Sequence, residues 1–214
     1  MSEYRIRATG AVVSEAELRA DHPDSVLPSP LTPDALEFAG ADAVLEAPAP
    51  TITATQTVAR NGVTQDAAGN WVTAWAVTDM SADQVATLLA TTKQNLLTAL
   101  AARQLVAKAA GVSYTFPDST SGIIETDDAS ITNINGLVTA ALVMQAQGDT
   151  TTTINFRDAG NVTHSLTAAQ TIPMGMTALT YISGTYATKW SKEEEINALS
   201  DVNAALAYDV NAGF

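Results

Sequence analysis

The 214-residue chain has no cysteine, two histidines and only 10 lysines and arginines. The missing cysteine excludes disulfide scaffolds, thiolate zinc sites and cysteine nucleophiles together. The few basic residues face 23 aspartates and glutamates, for a net charge of -13. Such an acidic surface repels phosphate backbones, so no nucleic-acid partner is expected. No apolar run approaches the ~18 residues that a spanning helix needs. The richest, residues 137–144, is far shorter, and no membrane insertion is expected. The opening Met1-Ser2-Glu3-Tyr4-Arg5-Ile6-Arg7 lacks the apolar stretch of a secretory signal, which predicts synthesis in a cytoplasm. Also lacking are HExxH, a P-loop, GxGxxG and the GxSxG nucleophile elbow. No catalytic group, metal or cofactor is therefore assigned.

The remaining charge is unevenly spread. Residues 81–110 carry Asp83 against Lys93, Arg103 and Lys108, the only net-positive stretch, and contain no glycine or proline. Ser81 with Gln84 forms a capping box, and Gly111 supplies the stop. Between them Val85, Leu89, Thr92, Leu96, Ala99, Arg103 and Val106 recur at spacings of four and three. A helix of about 29 residues would be roughly 43 Å long. That length exceeds the need of a small domain and leaves apolar surface for other chains. Arg103 interrupts a continuous coiled-coil seam. An intramolecular core helix remains the competing reading. The candidate subunit-interface residues are Val85, Leu89, Leu96, Leu100, Val106 and Phe214, the last in an apolar C-terminal tail with Leu206, Tyr208 and Val210.

Six of the eight prolines lie between Pro23 and Pro50, which predicts an extended segment interrupted by two short helices: one capped by Ser14 and Glu17, one opened by Thr32-Pro33. Strands are expected at residues 51–60 and 71–77, with Asn61-Gly62 as a tight turn. Alternation puts Trp71, Trp75 and Val77 on one face, as anchors of a small sheet or as a glycan-stacking platform. Beyond Gly111, two hairpins are expected, at 112–125 and 151–166, separated by a helix ending at Gly148. Capping boxes at Thr167/Gln170 and Ser191/Glu194 open two further helices, the first disturbed by Pro173. The fold class is α+β: a small β-rich N-terminal domain at 1–80, a long connecting helix at 81–110, a small α+β domain at 111–200 and a tail at 201–214.

The polar residues have structural readings beside chemical ones. His22 sits in the acidic, proline-flanked Asp21-His22-Pro23 and reads as solvated. His164 shares strand parity with Val162 and Leu166, so it faces the core or its edge. Glu125, Asp127 and Asp128 could serve glycoside hydrolysis, which needs only two carboxylates, or a hard cation. The same acids beside Ser130 also make an ordinary helix start. Glu193-Glu194-Glu195 reads as a solvated first-turn charge run.

Two blocks carry a resemblance. Gly10-Ala11-Val12-Val13-Ser14-Glu15-Ala16-Glu17-Leu18-Arg19, Val44-Leu45-Glu46-Ala47-Pro48 and the Asn70–Met80 strand segment with the Ala-rich capped helix after it resemble small tail proteins of tailed bacteriophages, encoded near tail-fibre genes. The stretch from Gly111-Val112 through Ile154-Asn155-Phe156 and Leu166-Thr167-Ala168-Ala169-Gln170 to Glu195-Ile196 is similar to a C-terminal domain common in phage tail and fibre-assembly proteins. Pro173 and Gly175 depart from the uninterrupted helix of that pattern. The resemblance implies a structural or adaptor role at the tail tip, with other tail, fibre or baseplate proteins as partners, and carries no catalytic residues. Fibres are commonly threefold, so it implies a homo-oligomer, with a trimer favoured, located in the virion. An assembly chaperone that leaves before the particle is finished is the alternative, and a carbohydrate-binding or depolymerising protein a weaker one.

Overall fold

Chain patterning of both periods, two and 3.6, gives a mixed α+β molecule with an N-terminal sheet, a long helix and a C-terminal α+β region. The computed structural model describes residues 2–214. It divides into two units, Met1–Val85 and Ala86–Phe214. The boundary falls in the first turn of the long helix, so most of that helix belongs to the second unit.

The first unit holds β1 (Glu3–Ile6), β2 (Val12–Ser14), α1 (Glu15–Ala20), α2 (Pro33–Phe38), β3 (Ala41–Leu45), β4 (Gln56–Gln65) and β5 (Trp71–Asp79). The sheet order is β2-β1-β3-β5-β4, antiparallel except for the β3–β5 pair. Ser14 and Glu17 close a reciprocal capping box on α1, and Pro33 opens α2 behind the Thr32 cap. Leu18, Ala39 and Ala41 pack with Tyr4 into a small core. The proline-rich segment is fastened by Arg19, whose guanidinium donates to the carbonyls of Leu27 and Pro28 at 2.7 and 2.6 Å.

Asn61-Gly62 is not the expected turn. β4 runs through it, and the β4–β5 register slips between Arg60 and Val63, with Gly62 at a φ of 73°. The pair forms a bulge, the other structure for which glycine's positive φ suits it. The reversal comes at residues 66–70, where Asp66 Oδ1 accepts from the amides of Ala68 and Asn70 at 2.9 and 2.8 Å. Continuing past the bulge adds the pairs Val63–Thr73, Thr64–Val72 and Gln65–Trp71 to the ladder.

The second unit is built on α3 (Ala82–Ala109), hairpin β6 (Val112–Thr115) and β7 (Ser121–Ile124), α4 (Asp128–Ala146), hairpin β8 (Thr153–Arg157) and β9 (Thr163–Thr167), α5 (Ala168–Ala198) and α6 (Val202–Leu206). Both expected hairpins and the α4 stop are present, Gly148 having a φ of 74°. Phe116, Ile124, Ile134, Phe156, Leu166, Met174 and Ala178 form the core. Gly175 lets α4 and α5 meet closely: a Cβ there would lie 2.2 Å from Val138 Cγ2.

Helix α5 is one helix and not two. Pro173 sits on its exposed side, where the Ala169 carbonyl freed by the missing N–H lies on an exposed residue. Ser191 opens no new helix, because Thr185, Lys192 and Ile196 continue one buried stripe through it. Glu193, Glu194 and Glu195 accordingly lie inside α5 and not in a first turn. The expected tail is also folded in: α6 buries Val202 and Ala205.

Candidate functional site

The capping box that starts α3 forms as expected, Ser81 N–H donating to Gln84 Oε1 at 2.8 Å and Gln84 N–H to Ser81 Oγ at 3.2 Å. The face it buries differs from the expected row. Leu100, Gln104 and Ala107 are the buried residues, one position beyond Ala99, Arg103 and Val106, a rotation of roughly 100°. Three side chains align this face with α5 through four bonds. Gln104 Nε2 donates to Thr185 Oγ1 at 3.3 Å, and the Tyr181 hydroxyl donates to the Ala107 carbonyl at 2.6 Å. Lys93 Nζ donates to the carbonyls of Asn197 and Leu199 at 2.7 and 3.0 Å, closing the C-terminal end of α5. The two helices therefore run antiparallel.

The candidate interface residues separate on this basis. Leu100, at 0% exposure, is spent on the chain's own interior and cannot meet another chain without unfolding. Phe214 is half-buried under the Arg103 guanidinium, 5.5 Å from its ring centroid, so it packs on its own α3. Val85, Leu89 and Leu96 are half-buried, and no residue between Ala86 and Ala99 is fully buried. Val106 is 61% exposed, and its neighbour Leu105, absent from the expected row, is 62% exposed. The spacing of apolar residues passes over Leu105 because the buried face of α3 carries the polar Gln104.

The acids of the glycosidase reading do not converge. Asp127 is the N-cap of α4, accepting from the amides of Ala129 and Ser130 at 2.9 and 3.0 Å. The Ser130 amide and hydroxyl hold its carboxyl below the usual range, the wrong direction for a general acid. Asp128 pairs with Lys108. Glu125 lines a cleft of about 200 Å³ with Asn133, Asn155 and Arg157, over Ile134, Leu137 and Phe156. Trp71 and Trp75 are half-buried and engaged by their own unit. Arg5 lies 3.9 Å over the Trp71 ring, covering one face, and Trp75 Nε1 donates to the Ala47 carbonyl at 3.0 Å. His22 is half-buried, not solvated, with its Nδ1 2.9 Å from the Leu18 carbonyl.

His164 is buried as its strand position implied, at 2% exposure, and stacks on Phe116 with centroids 3.5 Å apart and planes 7° from parallel. Its Nδ1 lies 3.1 Å from Asp118 Oδ2 in the β6–β7 turn and its Nε2 3.4 Å from Asp158 Oδ2 at the end of β8. Asp158 fits because residue 122 is glycine: a Cβ there would lie 2.2 Å from Asp158 Oδ2. The Ala159 amide donates to the Ile123 carbonyl at 3.0 Å, a second tie between the hairpins. With both ring nitrogens against carboxylates, His164 has no nitrogen left to activate a serine or water. Neither aspartate was legible as its partner, since turn residues 118 and 158 meet only once the hairpins are placed. Among the described residues, no group of three or more acids or histidines is arranged to hold a metal ion, and no helix is long and apolar enough to cross a membrane.

The site geometry thus defines an α+β chain with an exposed pair of adjacent apolar residues, Leu105 and Val106, on one helix and a buried histidine joint between two hairpins. The chain belongs to the family described as Domain of unknown function (DUF4376), which matches residues 91–212 and so covers most of the second unit. No curated protein and no solved structure matches it.

Proposed function

We propose that this protein is a structural component of a tailed-phage virion at the tail tip, associated with the tail fibre or baseplate. It contributes to fibre attachment and host adsorption by protein–protein contacts and performs no catalysis. The phage assignment rests on the resemblance carried by residues 10–19, 44–48, 70–80 and the block from Gly111 to Ile196. The assembly role rests on one observation: α3 keeps Leu105 and Val106 more than half exposed beside a buried face that its own chain already fills. Adjacent exposed apolar side chains on a rigid helix suit a contact with another chain. The copies self-associate, with a trimer favoured by analogy to threefold fibres, and the finished protein resides in the tail after synthesis in the host cytoplasm.

Mass spectrometry of purified particles tests the location. Stoichiometric presence is expected; a protein that binds fibre chains yet is missing from particles would be the assembly chaperone instead. Light scattering after size exclusion tests the contact. The wild type is expected as a homo-oligomer and Val106→Asp as a monomer with an unchanged circular-dichroism spectrum. A wild type that stays monomeric at high concentration and binds no fibre or baseplate protein overturns the proposal. The glycan alternative is weakened by Arg5 over Trp71.

A further inference from the structure

His164 is the only buried histidine among the described residues, and both of its ring nitrogens face carboxylate oxygens. An ionised carboxylate only accepts hydrogen bonds, and a neutral imidazole carries a single N–H. The neutral ring must therefore turn a lone pair toward one of the two aspartates, whereas the cationic ring donates to both. Each aspartate is held in its ionised form by its own turn. Asp158 Oδ1 accepts from the Val162 amide at 2.8 Å, and Asp118 Oδ1 accepts from the Thr120 hydroxyl and amide at 2.6 and 3.0 Å.

No other charge competes for the ring. Residues 129–146 of α4 and 168–188 of α5, the helices that complete this core, contain no charged side chain. The Tyr181 hydroxyl in α5 is engaged with the Ala107 carbonyl, and Arg157, next to Asp158, directs its Nε to the Asn161 carbonyl at 3.2 Å. Tyr114 of β6 packs on the edge of Phe116, with centroids 5.1 Å apart. Asp118 and Asp158 are thus the charged groups that set the balance.

The two contacts are not equivalent. The Asp118 side chain is 52% exposed and that of Asp158 only 4%. Water can rehydrate the first carboxylate and cannot reach the second, so the remaining proton belongs on Nε2.

We propose that His164 is a proton-operated joint between the two hairpins. The cationic ring ties the β6–β7 turn to β9 through Asp118. Loss of the Nδ1 proton leaves the Nε2–H tautomer on Asp158 and releases the β6–β7 turn, uncovering Phe116. This inference does not rest on the assembly role.

Nitrogen-15 spectra of the imidazole in the full chain, at about pH 6 and about pH 9 on either side of the ordinary histidine range, test it directly. Both nitrogens are expected protonated at the lower pH and Nε2 alone at the higher. Hydrogen exchange of the Phe116 and Ser119 amides, which close the turn on Thr120 and Phe116 at 2.8 and 2.9 Å, is read alongside. After correction for intrinsic exchange, their protection is expected to fall about tenfold over this range relative to amides in α5. In Asp118→Asn the turn is expected to be equally mobile at both values. A ring that keeps one protonation state throughout, a neutral ring with its proton on Nδ1, or turn protection unchanged while the ring titrates each overturns the proposal. The wild-type measurements decide this even where the variant does not fold.

Discussion

The two units solve the same problem with different forces. In the first, the core cluster is Tyr4, Leu18, Ala39 and Ala41, so half its members are alanines. Its ladder is braced at the surface by ion pairs, Arg5 and Arg7 with Asp42 and Arg60 with Glu3, and α1 by Arg19 with Glu15. In the second, two phenylalanines, two isoleucines, a leucine and a methionine fill the core, and helix ends are closed by side chains such as Lys93 and Asp127. Apolar burial contributes roughly 25 cal/mol per Å² and is not screened by salt. Exposed ion pairs contribute little and are screened. The units should therefore fail under different insults, and each can be weakened without the other.

The largest separation is expected from Phe116→Ala. The ring is 2% exposed and touches Tyr114, Phe156 and His164. Its loss is expected to cost the second unit about 3–5 kcal/mol. Urea denaturation followed by resolved amide signals from each unit checks this: second-unit signals should lose their fold at lower urea while β1–β5 signals keep their midpoint. A common shift of both would mean that the units unfold as one. Next in size is Gly175→Val, expected to cost about 1–3 kcal/mol because its Cβ would overlap Val138 across the α4–α5 crossing.

This division also explains what could be read in advance. The α+β class, both C-terminal hairpins, the stop at Gly148 and the boxes at Ser14, Ser81 and Thr167 were legible because each is set by residues within a few positions. Where the reading failed, local chemistry allowed two structures and long-range packing chose. Asn61-Gly62 suits a turn or a bulge, and the extra β4–β5 pairs selected the bulge. Ser191 with Glu194 imitates a helix start, but the buried stripe through Lys192 and Ile196 carries α5 past it. On α3 the buried residue Gln104 is polar and Ala107 small, so apolar spacing favoured the wrong face. The His164 joint was half visible: burial followed from strand parity, its partners only from tertiary placement.

In the first unit the matching test is gentler. The Arg60 guanidinium donates to Glu3 at 2.7 Å from Nη1, holding the Glu3 carboxyl below its ordinary range, and both side chains are roughly one-third exposed. Arg60→Gln is expected to cost that unit less than about 1 kcal/mol, and the difference from wild type should vanish in about 1 M salt. A loss of several kcal/mol that persists in salt would mean the pair is part of the packing and not a surface brace.

The smallest effect is an alkaline one confined to the second unit. Burial, then the bond from its hydroxyl to Glu195 Oε2 at 2.7 Å, raises Tyr208 to about 12 from its ordinary value of 10. The fold thus favours the neutral phenol. The resulting stabilisation is fully present below pH about 10 and is lost as pH rises toward about 12. Acid acts on both units, since Glu3 and Asp66 in the first and Asp118 and Asp149 in the second are all lowered. Their stabilisation is present above the ordinary carboxyl range and lost below it, so acid cannot tell the units apart. Alkali can. Between pH 10 and 12 the second unit's melting temperature should fall slightly more in wild type than in Tyr208→Phe, while the signals of β1–β5 respond alike in both proteins. An identical alkaline slope in the two proteins would show that the phenol reaches water as easily in the folded chain as in the unfolded one.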